Sequence, residues 1–254
     1  MEYAMHRRAA LKMSVGLALC PLCARTTFAA ESHWSYQGQT GPDNWGALDA
    51  ASRTCSTGSQ ESPLDLTDAI DAPQAPLIVS WPKGPDTIVN NGHTIQLNFT
   101  EGDTLKAGSR QYGLVQFHFH HPSEHLLNGE RFAMEAHFVH ADRNNLAVVG
   151  VFMTPGQSNE AFKKIVSTMP APEVPPEPVD PAIDPNDLLP RQLGYYRYEG
   201  SLTTPPCSET VEWLVIGEPI EVAHGDIELF AKLYPMNARP VQPRNRRFIL
   251  KAPD

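Results

Sequence analysis

Four of the ten histidines in this chain fall in one stretch, "QFHFHHPSEH", residues 116–125. A neutral imidazole can ligate a metal through one nitrogen while the other donates a hydrogen bond, and near neutrality it can relay a proton. His118 and His120 are spaced i, i+2, so on a strand they share one face while Phe117 and Phe119 share the other. A third imidazole, His137 in "MEAHFVH", shares its face with Glu135 and Val139. If the two stretches form neighbouring strands, three neutral imidazoles converge on one point. That donor set suits zinc and leaves a fourth tetrahedral position open for water, as in catalytic sites. Neither stretch holds a cysteine to close a structural site. Gln116 shares a face with His118, and Glu135 with His137. Both are the residue types that could hold the second ring nitrogen of a ligand. HxH alone also describes ordinary strand histidines, and HxH followed by ExH fits several β-rich metalloenzyme folds.

Positioning such a centre requires strands, and short β-prone runs recur along the chain. They are "LIVSW" (77–81), "TIVNN" (87–91), "HTIQLNF" (93–99), "YGLVQFHFH" (112–120), "FAMEAHFVH" (132–140), "LAVVGVFM" (146–153) and "VEWLVIG" (211–217). Turns are marked by Asn91-Gly92, Asn128-Gly129, Asn144-Asn145 and Pro155-Gly156. The continuously apolar 146–153 run belongs in the middle of a sheet. Helical spacing appears at 158–169, with Ser158 as the expected N-cap, and at 226–234. Eight of the 24 prolines lie between 170 and 190. Composition reads that stretch equally as a linker between domains or an ordered excursion over one domain.

The first 30 residues read as a secretory leader. Arg7, Arg8 and Lys12 precede an apolar run from Met13 to Leu22, with small residues at Ala24, Ala29 and Ala30. The paired arginines fit a twin-arginine signal, and the cut is expected near Ala29 or Ala30. A membrane anchor is the competing reading. Four of the 20 basic residues and one of the 29 acidic ones lie in the leader, so 16 remain against 28. Such an acidic chain is an unsuitable nucleic-acid partner. Cys20 and Cys23 leave with the leader, and only Cys55 and Cys207 remain. In an exported chain two cysteines more often form one disulfide than stay free, though two separate thiols is the other reading.

These stretches also carry a resemblance. "SHWSYQGQTGPDNWG" (32–46), "QESPLDL" (60–66), "NNGHTIQL" (90–97), the two histidine motifs, "YYRYEGSLTTPPCSETVEW" (195–213) and "NARPVQPRNRR" (237–247) follow one another in the order of the α-class carbonic anhydrases. The chain resembles the exported bacterial members of that family over essentially its whole length beyond the leader. The resemblance implies a single domain over 31–254, mainly β, with a large, mostly antiparallel twisted sheet and a few short peripheral helices. It implies zinc on His118, His120 and His137, with Gln116 and Glu135 as their hydrogen-bond partners. Thr203 matches the threonine that accepts a hydrogen bond from zinc-bound hydroxide and donates to a carboxylate, here Glu124. An ionised carboxylate can only accept, so the threonine proton is committed to it. The apolar substrate wall maps to Val139, Val148, Leu202, Val211 and Trp213. Each of these, taken alone, reads as ordinary core. His93 matches the proton shuttle, against the plainer reading of an exposed turn histidine. Asn91 and Thr204 match residues that hold the water network.

The resemblance further implies that Cys55 and Cys207 pair and that the proline-rich stretch is an excursion. His121, His125 and His140 are not read as ligands. One departure is His121-Pro122, where mammalian members commonly carry tryptophan after the second ligand. The loop between the second and third ligands is short, as in bacterial members. The implied activity is reversible hydration of carbon dioxide to bicarbonate, with weak esterase activity, in a periplasmic or extracellular protein without lasting membrane insertion. Monomer and homodimer are both open. The competing function is a non-catalytic binding module on the same fold, whose mark would be a lost zinc histidine.

Overall fold

The computed structural model describes residues 33–252 apart from 101, 144 and 173. The expected leader and the Asn144 half of one turn lie outside them. Two single-turn helices, α1 (Trp45–Leu48) and α2 (Thr54–Thr57), come first and turn Trp45 and Cys55 inward. Next are β1 (Ile70–Asp71), β2 (Leu77–Ser80), β3 (Thr87–Asn90), β4 (Ile95–Asn98), β5 (Thr104–Ala107) and β6 (Arg110–His120). A small hairpin, β7 (Leu126–Leu127) and β8 (Glu130–Arg131), turns at Asn128-Gly129. Both turn residues have positive φ, as the two-residue turn of a hairpin requires. Then come β9 (Met134–Asp142), β10 (Asn145–Pro155), α3 (Glu160–Ser167), β11 (Glu177–Pro178), β12 (Tyr195–Gly200), β13 (Val211–Val222), α4 (His224–Leu233) and β14 (Leu250–Lys251).

One sheet runs β1-β14-β12-β13-β10-β9-β6-β4-β3-β11, with β5 joining β6 to β2. Pairing is antiparallel except for β10 with β13 and β1 with β14. This is the large, mostly antiparallel sheet expected, and all seven predicted strands lie in it. The apolar 146–153 run forms the interior of β10, flanked by β9 and β13.

Alternation gives the sheet two unlike faces. Phe117, Phe119, Phe138, Val149, Val151 and Leu214 point to one, beneath Phe162 and Ile165 of α3 and Phe230 of α4. Burying each of these large side chains is worth about 1.5–3 kcal/mol, so this face holds the sheet together. The histidines occupy the other face because of one residue. Tyr112 and Leu114 pack in the phenylalanine core, which would send every even-numbered residue of β6 the same way. The β6–β9 register slips between Leu114 and Gln116, leaving Val115 as an extra residue. That bulge reverses the parity and turns Gln116, His118 and His120 away from the core.

Two expectations change. Asn159, not Ser158, caps α3: its Oδ1 accepts from Phe162 N at 3.0 Å while its Nδ2 donates to Asp187 O at 2.7 Å. An amide can satisfy both contacts at once. Helix α4 begins at His224, two residues before the expected start. The proline-rich stretch is an excursion, not a linker. β11 pairs with β3, Ile183 and Leu188 are buried in the core, and Asn186 Nδ2 donates to Trp81 O at 2.9 Å. Cys55 and Cys207 are disulfide-bonded. No helix among the described residues is long and apolar enough to cross a membrane.

His140, set aside as a ligand, lies on the phenylalanine side, fully buried beside the Trp81 ring. Neither ring nitrogen makes a hydrogen bond of good geometry among the described residues. Burial lowers its pKa from 6.5 to about 4, opposed by the nearby Ala147 and Phe138 backbone. The unfolded chain therefore takes up this proton first. Stability falls as pH drops from 6.5 towards 4, by about 3 kcal/mol in all, and no further below. His140→Phe is expected to lose that slope, read as the shift in urea midpoint between neutral and acid pH. An equal shift in parent and variant would contradict it.

Candidate metal centre

In the β6–β9 ladder His118 stands opposite His137, and His120 opposite Glu135. The three imidazoles face one another with ring centroids 4.5–5.4 Å apart, and their ligating nitrogens lie within 4.8 Å of one another. In each ring one nitrogen is already engaged. His118 Nδ1 meets Gln116 Oε1 at 2.8 Å, His120 Nδ1 meets the Asn237 carbonyl at 2.7 Å, and His137 Nε2 meets Glu135 Oε1 at 2.9 Å. All three partners accept, so these nitrogens carry the protons. The free nitrogens are then Nε2 of His118, Nε2 of His120 and Nδ1 of His137. His120 Nε2 is buried with no hydrogen-bond partner among the described residues. Burial, first of all, lowers the pKa of each ring: His118 well below its ordinary value, His120 to about 4, and His137 also downward. Three neutral donors with lone pairs aimed at one point, one of them otherwise orphaned, fit a divalent metal.

Glu135 is the hub behind the ligands. Its Oε2 accepts from the backbone N–H groups of Glu124 and His125, both at 2.9 Å. Its Oε1 accepts from His137 and from His125 Nδ1 at 2.8 Å. Burial alone would raise its pKa, but the two imidazoles outweigh it and hold the carboxyl well below the usual range. Gly150, opposite His137 on β10, leaves room for it, since a Cβ there would stand 2.9 Å from Glu135 Oε1. His125 Nε2 continues to Tyr198 OH at 2.6 Å, and that hydroxyl reaches Ser62 Oγ at 3.0 Å. His125, Glu135 and His137 also lie within ligating distance of one another. Both nitrogens of His125 are spoken for, so that alternative is filled by hydrogen bonds.

Glu124 is fully buried. Its Oε1 accepts from Arg239 N at 2.7 Å, and its Oε2 lies 3.5 Å from His120 Nε2. Burial pushes its pKa up to about 7, opposed by His137, the Thr203 hydroxyl and the Arg239 N–H. Thr203 is buried beside it on the loop between β12 and β13. That loop is closed by Leu202 N to Ser208 O at 3.1 Å, by Cys207 N to Thr204 O at 2.9 Å, and by the disulfide.

Val148, Val211 and Trp213 form one apolar cluster with the partly buried Val139 and Leu202, and the Trp213 ring lies 4.8 Å from that of His137. His93 is half-buried in the turn before β4, where Asn91 Oδ1 accepts from the backbone of His93 and Thr94. Its ring stacks on Trp34 at 3.6 Å, and its pKa is lowered by burial and by His33. Thr204 is half-exposed, and His121 is engaged with the Pro235 carbonyl.

Sequence reasoning missed three contributors. Asn237 holds His120 through a backbone carbonyl, which no side-chain type announces. His125, not read as a ligand, buttresses Glu135 through Nδ1, a partnership that the sequence did not show. Gln96 stands opposite His118 and receives Asn91 Nδ2 at 3.4 Å; its alternation with Leu97 could have shown it.

A family model for eukaryotic-type carbonic anhydrases matches residues 40–252. The carbonic anhydrase of Pectobacterium carotovorum is 37% identical over 241 residues, covering 94% of this chain and 98% of that protein. That of Neisseria gonorrhoeae is 39% identical over 243 residues, covering 94% and 95%. The alpha-carbonic anhydrase of Thermovibrio ammonificans, solved with the inhibitor sulfanilamide, matches with a TM-score of 0.84 and 42% identity over 87% of this chain and 100% of that one. By motif order, fold and these matches, the chain belongs to the eukaryotic-type, or alpha, carbonic anhydrase family.

Proposed function

We propose that this chain hydrates carbon dioxide reversibly at a zinc ion held by His118 Nε2, His120 Nε2 and His137 Nδ1. The observation that carries this reading is that each ring's other nitrogen is engaged by an acceptor, which leaves three free nitrogens facing one point. Bound zinc supplies a Lewis acid that lowers the pKa of a water from about 15.7 to about 7, a value known from carbonic anhydrase itself rather than from this chain.

The protein's own groups do the rest. In its ionised form Glu124 accepts a hydrogen bond from the Thr203 hydroxyl, so Thr203 can only accept from the attacking oxygen, and that oxygen's lone pair is directed away from it. Carbon dioxide has no proton to donate, and the Val139, Val148, Leu202, Val211 and Trp213 wall suits it. His93 takes up the released proton, with Asn91 and Thr204 holding water at the mouth. Burial and the neighbouring His33 lower its pKa, which favours the neutral form that must receive the proton while making the ring a weaker base. Weak hydrolysis of activated esters follows from the same nucleophile. Residues 1–30 are read as a cleaved secretory leader ahead of a catalytic domain over 31–254. The Cys55–Cys207 bond supports an oxidising, periplasmic or extracellular setting.

Chelation is expected to abolish stopped-flow hydration and added zinc to restore it, while His118→Ala loses both metal and activity. Activity that survives metal removal would sink the reading. Thr203→Ala is expected to keep its zinc and lose roughly 100-fold in kcat/KM; a parent-like rate would remove the threonine from the mechanism. His93→Ala should slow turnover about tenfold in dilute buffer and recover in concentrated imidazole. Equal rates in dilute buffer would leave His93 a turn residue.

A further inference from the structure

Residues 237–239 form no regular element, yet they touch His120, the Glu124 carboxylate and the turn that carries His93. The Asn237 carbonyl holds His120 Nδ1 at 2.7 Å, and its Oδ1 accepts from His121 N at 2.7 Å. Asn237 Nδ2 donates to the carbonyls of His93 and Phe119, both at 3.0 Å. Two residues on, Arg239 N–H is the donor to Glu124 Oε1. The backbone of this segment therefore aims a ligand and the carboxylate that orients Thr203, while a side chain ties in the shuttle turn.

The segment is fixed from behind. Arg239 is 1% exposed, and its Nη1 meets Glu61 Oε2 at 2.6 Å and the Ser62 carbonyl at 2.8 Å. Its Nη2 donates to the Cys55 carbonyl at 3.0 Å, and the guanidinium lies 5.5 Å from the centre of the Trp45 ring. Cys55 is bonded to Cys207, which closes the Thr203 loop. The contacts make a ring: Thr203 loop, disulfide, Arg239, Glu124, and back to Thr203. Stability alone does not account for this ion pair. A buried pair is on average no more stabilising than well-packed apolar side chains, and here Glu61 Oε1 and Arg239 Nε make no hydrogen bond of good geometry among the described residues.

We propose that Arg239 is a positioning residue for the hydration reaction: its guanidinium, anchored by Glu61 and the Cys55 and Ser62 carbonyls, fixes the segment whose backbone aims His120 and Glu124. This rests on the catalytic reading given above. Lysine cannot replace it, because a single ammonium cannot reproduce the two-nitrogen fork that reaches all three acceptors.

The test uses the zinc-loaded protein. Arg239→Met combined with Glu61→Gln removes the fork without stranding a charge, and Arg239→Lys keeps the charge without the fork. Zinc content, melting temperature, kcat and KM for hydration are measured on each, with the His120 imidazole N–H resonance in nitrogen-15 spectra. The double variant is expected to hold zinc, lose about tenfold in kcat with KM within about twofold, and show a shifted His120 resonance. Arg239→Lys should fall between parent and double variant. A folded, zinc-loaded double variant with parent kcat and an unmoved resonance overturns the proposal. If the double variant does not fold, Glu61→Gln alone is read, and parent-like kcat and resonance there overturn it equally. A parent that binds zinc but does not hydrate carbon dioxide refutes the catalytic reading instead, and the His120 resonance still decides whether Arg239 fixes the segment.

Discussion

Glu135 is a fully buried carboxylate, and an ionised carboxylate in that setting costs several kcal/mol unless its lone pairs are taken. Two backbone N–H groups and two imidazoles take them. Each of those contacts fixes something else. The backbone donors hold the turn that carries Glu124, His125 leads on to Tyr198 and Ser62, and His137 is left with one free nitrogen. Gly150 lies beside Glu135, where an added Cβ would stand 2.9 Å from Oε1, so a larger residue would have to displace the carboxylate. An ion held by His137 would therefore be oriented by hydrogen bonds reaching four segments of chain.

Those segments are far apart in sequence. Glu61 meets Arg239, Ser62 meets Ser201, and Cys55 meets Cys207. The parts of the site that direct chemistry come late in the chain, while their anchors come early. Only β6, β9 and β10 bring ligands and hub together locally, and these strands form the middle of the sheet. The rest is long-range closure. A bond across 152 residues costs the unfolded chain considerable entropy, about 3–5 kcal/mol on the loop-closure account.

Much of this was legible. The alternation of Gln116, His118 and His120 with two phenylalanines, and of Glu135 and His137 with alanine and phenylalanine, gave both the faces and the partners. What could not be read was the Val115 bulge. Strict alternation from Tyr112 would have placed His118 in the core with Leu114, and only the pairing register shows otherwise. Backbone partners were equally silent, as Asn237 and Arg239 show. Residue type marks side-chain chemistry, whereas a carbonyl or N–H is present at almost every position. The proline-rich stretch was undecided by composition for the opposite reason, and only the resemblance read it as an excursion. Its composition was conspicuous, but Ile183 and Leu188, the residues that dock it, were ordinary.

The central claim is that three histidines present Nε2, Nε2 and Nδ1 to one zinc ion with a position left for water. X-ray absorption at the zinc edge on the purified, zinc-loaded protein tests it most directly. The account predicts a four-coordinate ion with three imidazole nitrogens at about 2.0–2.1 Å and one light oxygen. A shell containing sulfur, or an imidazole count that His118→Ala leaves unchanged, would contradict it.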